Sequence, residues 1–210
     1  MDTGHDRQNH IESRMKIVHA MDDLMKETPL DKLSTTAICD KAGISRQTFY
    51  QCFLDKYDVV DWVLTELTRP TVRNIGITLG WYEGFLRLHR ALLEMKDFLA
   101  NSAKSQDVNT LPTIAVRLAK EDYERAALMR LGGSEIPELI AFQIENFAYT
   151  TTQATTRWQI RGMQESPEKI ASMMCTLVPR ELYNLLDIKP EETREWTVFS
   201  EYDILKNNRS

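Results

Sequence analysis

The chain has 210 residues, 42% of them hydrophobic, and a formal net charge of −5. That suits one compact unit or two small packed ones and excludes wholesale disorder. Three cysteines without CxxC spacing and four histidines without an HxxxH or HExxH pattern suggest neither a disulfide framework nor a zinc site, so no metal and no cofactor is expected.

Only 8 Gly and 7 Pro, against many Leu, Ala and Met, point to an all-α fold. Residues 1–8 read as a disordered tail. An amphipathic helix is expected over 9–27, with Ile11, Met15, Val18 and Met25 on one face and Asn9 with Glu12 as a capping pair. It should stop before Thr28-Pro29. Ser34 or Thr35 caps a short helix through Lys41, Gly43 ends it, and Ser45 caps the next, through about Cys52. Asp55 caps a fourth that runs to about Arg69-Pro70. These segments form a first domain over 9–70, with a helix-turn-helix at about 35–54.

A second helical domain is expected over 71–187, with helices at 81–100 and 113–131 and a polar loop at 101–112 between them. A break follows at Leu131-Gly132-Gly133-Ser134, and a long helix opens at Pro137 and ends near Arg161-Gly162. A last helix starts at Ser166-Pro167-Glu168 and restarts at Pro179, and residues 188–210 read as a charged tail. No run approaches the roughly 20 apolar residues that cross a bilayer. The polar start MDTGHDRQNH lacks the basic n-region and apolar stretch of a signal peptide. A cytoplasmic protein without a membrane partner is therefore expected.

The segment STTAICDKAGISRQTFYQCFLDK, residues 34–56, carries the functional signal. Two short helices meet at Ala42-Gly43-Ile44, where small Ala42 allows close approach and Gly43 permits the turn. The second helix opens with Ser45, Arg46, Gln47 and Thr48, a polar first turn bearing a cation. Such a turn suits base edges in a major groove, Arg pairing with guanine and Gln with adenine. Tyr50 and Gln51 face outward toward phosphate, and Lys56 sits beside the N–H groups of the next helix as a phosphate clamp. Residues 1–60 hold eight Lys/Arg and ten Asp/Glu. Affinity for DNA must then come from the placement of a few cations and be salt-sensitive.

This string resembles the N-terminal domain of the TetR family of regulators. The likeness rests on the Ser34/Thr35 start, Ile38-Cys39, Ala42-Gly43-Ile44-Ser45, Thr48, Tyr50, Phe53 and Lys56, and spans about 45 residues from Ile11 to Val60. Cys39 and Cys52 depart from the usual pattern. The resemblance implies a homodimeric regulator, expected to be a repressor, that reads a pseudo-palindromic operator in double-stranded DNA. Ser34, Thr35, Arg46, Gln47, Thr48, Tyr50 and Lys56 would then touch DNA.

In the long helix Ile140, Ile144, Phe147, Thr151, Ala154 and Trp158 recur at heptad-like steps, while Leu139, Phe142, Tyr149 and Ile160 form a second stripe. A helix apolar on two sides is buried on two sides. The first stripe, with Ile170, Met174 and Leu177, is assigned to a dimer seam, with an intrachain core as the alternative. Residues 147–171, FAYTTTQATTRWQIRGMQESPEKIA, resemble the C-terminal domain of regulators related to the dihydroxyacetone-kinase activator. Trp81, Phe85, His89, Tyr123, Thr150 and Gln153 are candidates for a pocket holding an unknown small-molecule effector, although each taken singly reads first as ordinary core. A competing reading keeps the helical dimer but has it act through a partner protein, with little direct DNA binding. No Ser/His/Asp set, phosphate loop or metal spacing supports an enzyme.

Overall fold

The computed structural model describes residues 4–107 and 110–188, with side chains from His10 onward. Of the tail assigned to 188–210, residues 189–210 lie outside the described residues. Among these residues ten α-helices follow in order: α1 Gly4–Met25, α2 Thr35–Ala42, α3 Arg46–Cys52, α4 Lys56–Thr68, α5 Trp81–Glu94, α6 Lys96–Ser102, α7 Leu111–Arg130, α8 Glu138–Ile160, α9 Pro167–Cys175 and α10 Arg180–Leu186. Among the described residues the sole β feature is an isolated bridge between Ile75 and Leu79.

Local chemistry sets most of these boundaries. Ser34, Ser45 and Ser166 each accept, through the side chain, a backbone N–H three residues on. Asp55 accepts from Tyr57 and Asp58, while Asp58 accepts the N–H of Leu54 at 2.8 Å, a reciprocal carboxylate cap. The helix expected at 9–27 instead begins by Gly4, so Asn9 is an interior helical residue and no cap. The helix expected over 81–100 is two, divided at Met95, whose ψ of 36° departs from helical geometry.

α1 buries Met15, Ile17, Val18, Met21 and Met25 against α2, α3, α4 and α6. Behind this cluster α5 lies along α9, and α7 along α8. One continuous apolar core runs from Met15 to Leu186. Gly84 is needed where α5 crosses the 75–79 turn: a Cβ there would sit 2.3 Å from Cγ1 of Ile75.

The long helix α8 corrects the dimer seam. Ile140, Ile144, Phe147, Thr151 and Trp158 are buried inside the chain, as are Ile170 and Met174 on α9. α7, α6 and α10 cover α8, and α5 covers α9. Ala154 is half-buried against the same core, and of the nine assigned residues Leu177 alone is exposed. A partner chain has no access to side chains already packed at home. The second stripe is the open one, with Leu139, Phe142, Tyr149 and Ile160 between 45% and 65% exposed. At 100° per residue it lies roughly opposite the buried stripe.

Candidate nucleic-acid interface

The turn between α2 and α3 is built from one left-handed residue. Gly43 has φ 66° and its N–H reaches the carbonyl of Asp40, while Ile44 N–H reaches Cys39 at 3.1 Å. These bonds close α2 and swing the chain so that Ser45 caps α3. Ile38, Cys39, Phe49 and Phe53 fill the angle between the helices and are all buried. Arg14 of α1 braces the far end, its guanidinium 5.3 Å from the ring centre of Phe53 and 5.6 Å from that of Trp62.

What remains outward is polar. Ser34, Ser45, Arg46, Gln47, Tyr50 and Gln51 are exposed, and Thr35 and Thr48 are half-exposed. The Ser45 and Thr48 hydroxyls lie 2.9 Å apart, so both belong to the cap that starts α3. Arg46 and Thr35 hydrogen-bond the Tyr50 phenol and hold it below its ordinary range. Those three side chains join the start of α2 to the first turn of α3. The Gln51 carbonyl accepts from the His10 ring at 3.2 Å.

Lys56 is placed otherwise than the sequence suggests. Its ammonium donates to the carbonyls of Asp31 at 2.8 Å and Leu33 at 3.0 Å, and the N–H groups expected beside it are capped by Asp55. It therefore braces the loop ahead of α2 and is no free phosphate clamp. Cys52, at the end of α3, is buried.

A polar joint ties these helices to the rest of the chain. The Asp31 carboxylate accepts from Ser105, from the Gln106 N–H at 3.0 Å and from the Tyr57 hydroxyl at 3.3 Å. Those bonds hold its carboxyl below the usual range, while burial pushes the Tyr57 phenol up to about 12. Arg117 of α7 meets Asp61 of α4 at 2.6 Å.

Beyond the joint, α4, α5, α7 and α8 enclose a cavity of about 70 Å³, its walls almost entirely carbon. Of the pocket residues expected from sequence, Phe85 and Tyr123 line it. Trp81 is buried beside it in an aromatic cluster with Phe147 and Tyr123. His89 is core: its ring bonds the Phe85 carbonyl at 2.8 Å and lies 3.3 Å from the Thr155 hydroxyl. Burial lowers its pKa to about 4. Thr150 is exposed and Gln153 half-buried, both outside the cavity wall. The polar residues lining it are Thr68 of α4 and Thr151, Thr152, Thr155, Thr156 and Gln159 of α8, of which the sequence pointed to Thr152. Helical phase along the Thr-rich run was the available signal, and it needed the buried face to be known first.

Comparison with known proteins bears on the whole. Residues 80–180 match the transcriptional regulator C-terminal region of a TetR-type family. No curated protein matches the chain. The solved structure of the dihydroxyacetone kinase operon activator DhaS superposes with a TM-score of 0.59 at 21% identity, covering 84% of this chain and 98% of that one. A TetR-family transcription regulator from Shewanella sp. PV-4 is more distant, with a TM-score of 0.43 at 14% identity, covering 84% of this chain and 99% of that one. Residues 80–180 are thus similar to the C-terminal region of a TetR-type transcriptional regulator family, and a helix-turn-helix is folded ahead of them.

Proposed function

We propose that the protein is a homodimeric, effector-responsive regulator that reads a pseudo-palindromic operator through α3. The observation that carries this reading is the outward first turn of α3, with Arg46 and Gln47 exposed on a buried, capped scaffold. The Ser45 cap fixes the backbone of that turn, so the turn itself loses little freedom on binding. The exposed stripe of α8, with Met173 on α9 and Leu177 just beyond it, supplies the apolar face for the second copy. A symmetric pair presents two recognition helices, and an inverted repeat answers them.

The reading implies modest affinity and a shallow salt dependence. Lys41 is paired with Asp23 at 3.3 Å and Lys56 is committed to backbone carbonyls. Few cations are left for phosphate, so few counterions are released on binding and the fall of affinity with ionic strength should be small. Selection from a pool of randomised duplexes is the test. Enrichment of an inverted repeat supports the proposal, and a promoter–reporter fusion carrying that repeat then reads the sign of regulation. Enrichment of no sequence at low salt contradicts it and favours action through a partner protein.

A further inference from the structure

We infer that Arg14 of α1 is a positioning residue for operator recognition, one that fixes the C-terminal end of α3 and so sharpens sequence discrimination without touching DNA. The inference rests on the operator reading above and names a residue outside the helix-turn-helix on which that reading depends.

α3 has seven residues, too few to hold a helical conformation or a direction alone. Its first turn is secured locally, by the Gly43 turn and the Ser45 cap. Its last turn has no such device. Cys52 is followed by Phe53 in extended backbone, without a left-handed Gly or Asn, and no basic residue stands in the last turn. The final carbonyls of a helix lack partners within it and form the negative end of its dipole.

α1 supplies what α3 lacks. Arg14 Nη2 donates to the Cys52 carbonyl at 3.4 Å. The His10 ring, one turn earlier on the same face of α1, meets the Gln51 carbonyl at 3.2 Å. The Arg14 guanidinium also lies against both Phe53 and Trp62, rings that meet edge-on with centres 6.0 Å apart. One planar cation thus touches the end of α3, the residue that leaves it and the second turn of α4. Its Nε is buried without a hydrogen-bond partner, so the group is turned into this seam and away from phosphate.

The consequence for binding is selective. Base edges discriminate only when the reading side chains are correctly aimed, whereas phosphate contacts tolerate any sequence. A tilt of α3 about its capped first turn would misplace Arg46 and Gln47 and leave the surface charge as it was. Loss of Arg14 therefore costs specific binding more than non-specific binding.

The experiment compares the native chain with Arg14→Met, Arg14→Lys and Lys16→Met. Lys16 is an exposed cation two positions along α1 and controls for charge. Anisotropy titrations over a range of salt use the selected inverted repeat and a scrambled duplex of equal composition. Amide hydrogen exchange is followed on each protein free of DNA. In Arg14→Met the preference for the repeat should fall at least tenfold, with the salt slope unchanged. Amides of α3 should exchange at least tenfold faster while those of α5 keep their native rates. Arg14→Lys keeps a cation but loses the planar stack, so it should fall between, and Lys16→Met should match the native chain. If Arg14→Met does not fold, Arg14→Lys carries the comparison, with a several-fold loss of preference expected. A native preference and native α3 exchange in the Arg14 variants overturn the proposal, as does a salt slope lowered by one phosphate contact. If the native chain selects no repeat, the operator reading fails by itself, and the exchange rates still decide whether Arg14 holds α3.

Discussion

The side-chain oxygen of Asn101, on α6, accepts the backbone N–H of Leu30 at 2.9 Å across the joint between the helix-turn-helix and the C-terminal helices. Its amide also donates to the carbonyls of Met25 at 2.7 Å and Thr28 at 3.0 Å. One side chain thus satisfies three backbone groups in the bend between α1 and α2, where Pro29 leaves the helix ladder broken.

Asn101→Ala strands those three groups and should cost about 1–3 kcal/mol of folding stability. The exposed neighbour Lys104, changed to Ala, should stay within about 0.5 kcal/mol. Urea unfolding of both variants checks this, and equal midpoints would show that the joint contributes nothing.

Arg46 and Lys56 should separate cleanly, although both are cations of the helix-turn-helix. Arg46→Met should weaken duplex binding by about 1–3 kcal/mol and leave unfolding almost unchanged, because its side chain is exposed. Lys56→Met removes two bonds to backbone carbonyls, so it should lower stability by about 1–2 kcal/mol. It should leave the salt dependence of binding unchanged. A salt slope reduced by one phosphate contact in Lys56→Met would restore the clamp role.

The open face of α8 makes a contrast in assembly. Phe142→Glu together with Tyr149→Glu places charge on side chains 65% and 59% exposed. The expected product is a folded monomer by sedimentation. Ile144→Glu, two residues beyond Phe142 but fully buried, should lose several kcal/mol and unfold instead. A dimer that survives the double substitution locates the interface elsewhere.

Two buried titrating groups should pull stability in opposite directions with pH. His89 has its pKa lowered from 6.5 to about 4, so the unfolded chain takes up a proton that the folded chain refuses. Stability from that source falls as pH falls from 6.5 toward 4. Asp122 is raised from 3.8 to about 6 by burial, despite Arg73 at 3.5 Å and the nearby Arg125. Its folded form keeps a proton longer, so its contribution falls as pH rises from 3.8 toward 6. The stability gain of Asp122→Asn over the native chain should therefore grow by on the order of 2–3 kcal/mol across that window. Urea midpoints at several pH values measure it, and a gain independent of pH would contradict the burial of an ionisable Asp122.

What the sequence disclosed was local. Ser34, Ser45, Asp55, Ser166 and Gly43 announce their helix ends because a cap is decided within about four residues. The outward polar turn at Arg46 follows from the same caps. Which apolar stripe of α8 turns inward was not legible, since both satisfy a helical period and the choice belongs to α6, α7 and α10. Lys56 misled for a similar reason: its carbonyl partners at 31 and 33 lie over 20 positions away. The break at Met95 carries neither Gly nor Pro, and so gave no warning.

The most direct measurement is a fluorescence-anisotropy titration of the selected inverted-repeat duplex with the native chain and with Arg46→Ala/Gln47→Ala, at low and moderate salt. The expected result is saturation at two chains per duplex for the native protein, and at least a hundredfold weaker, sequence-indifferent binding for the variant. Native affinity retained in the folded double variant would remove α3 as the reading element, and with it the proposed function.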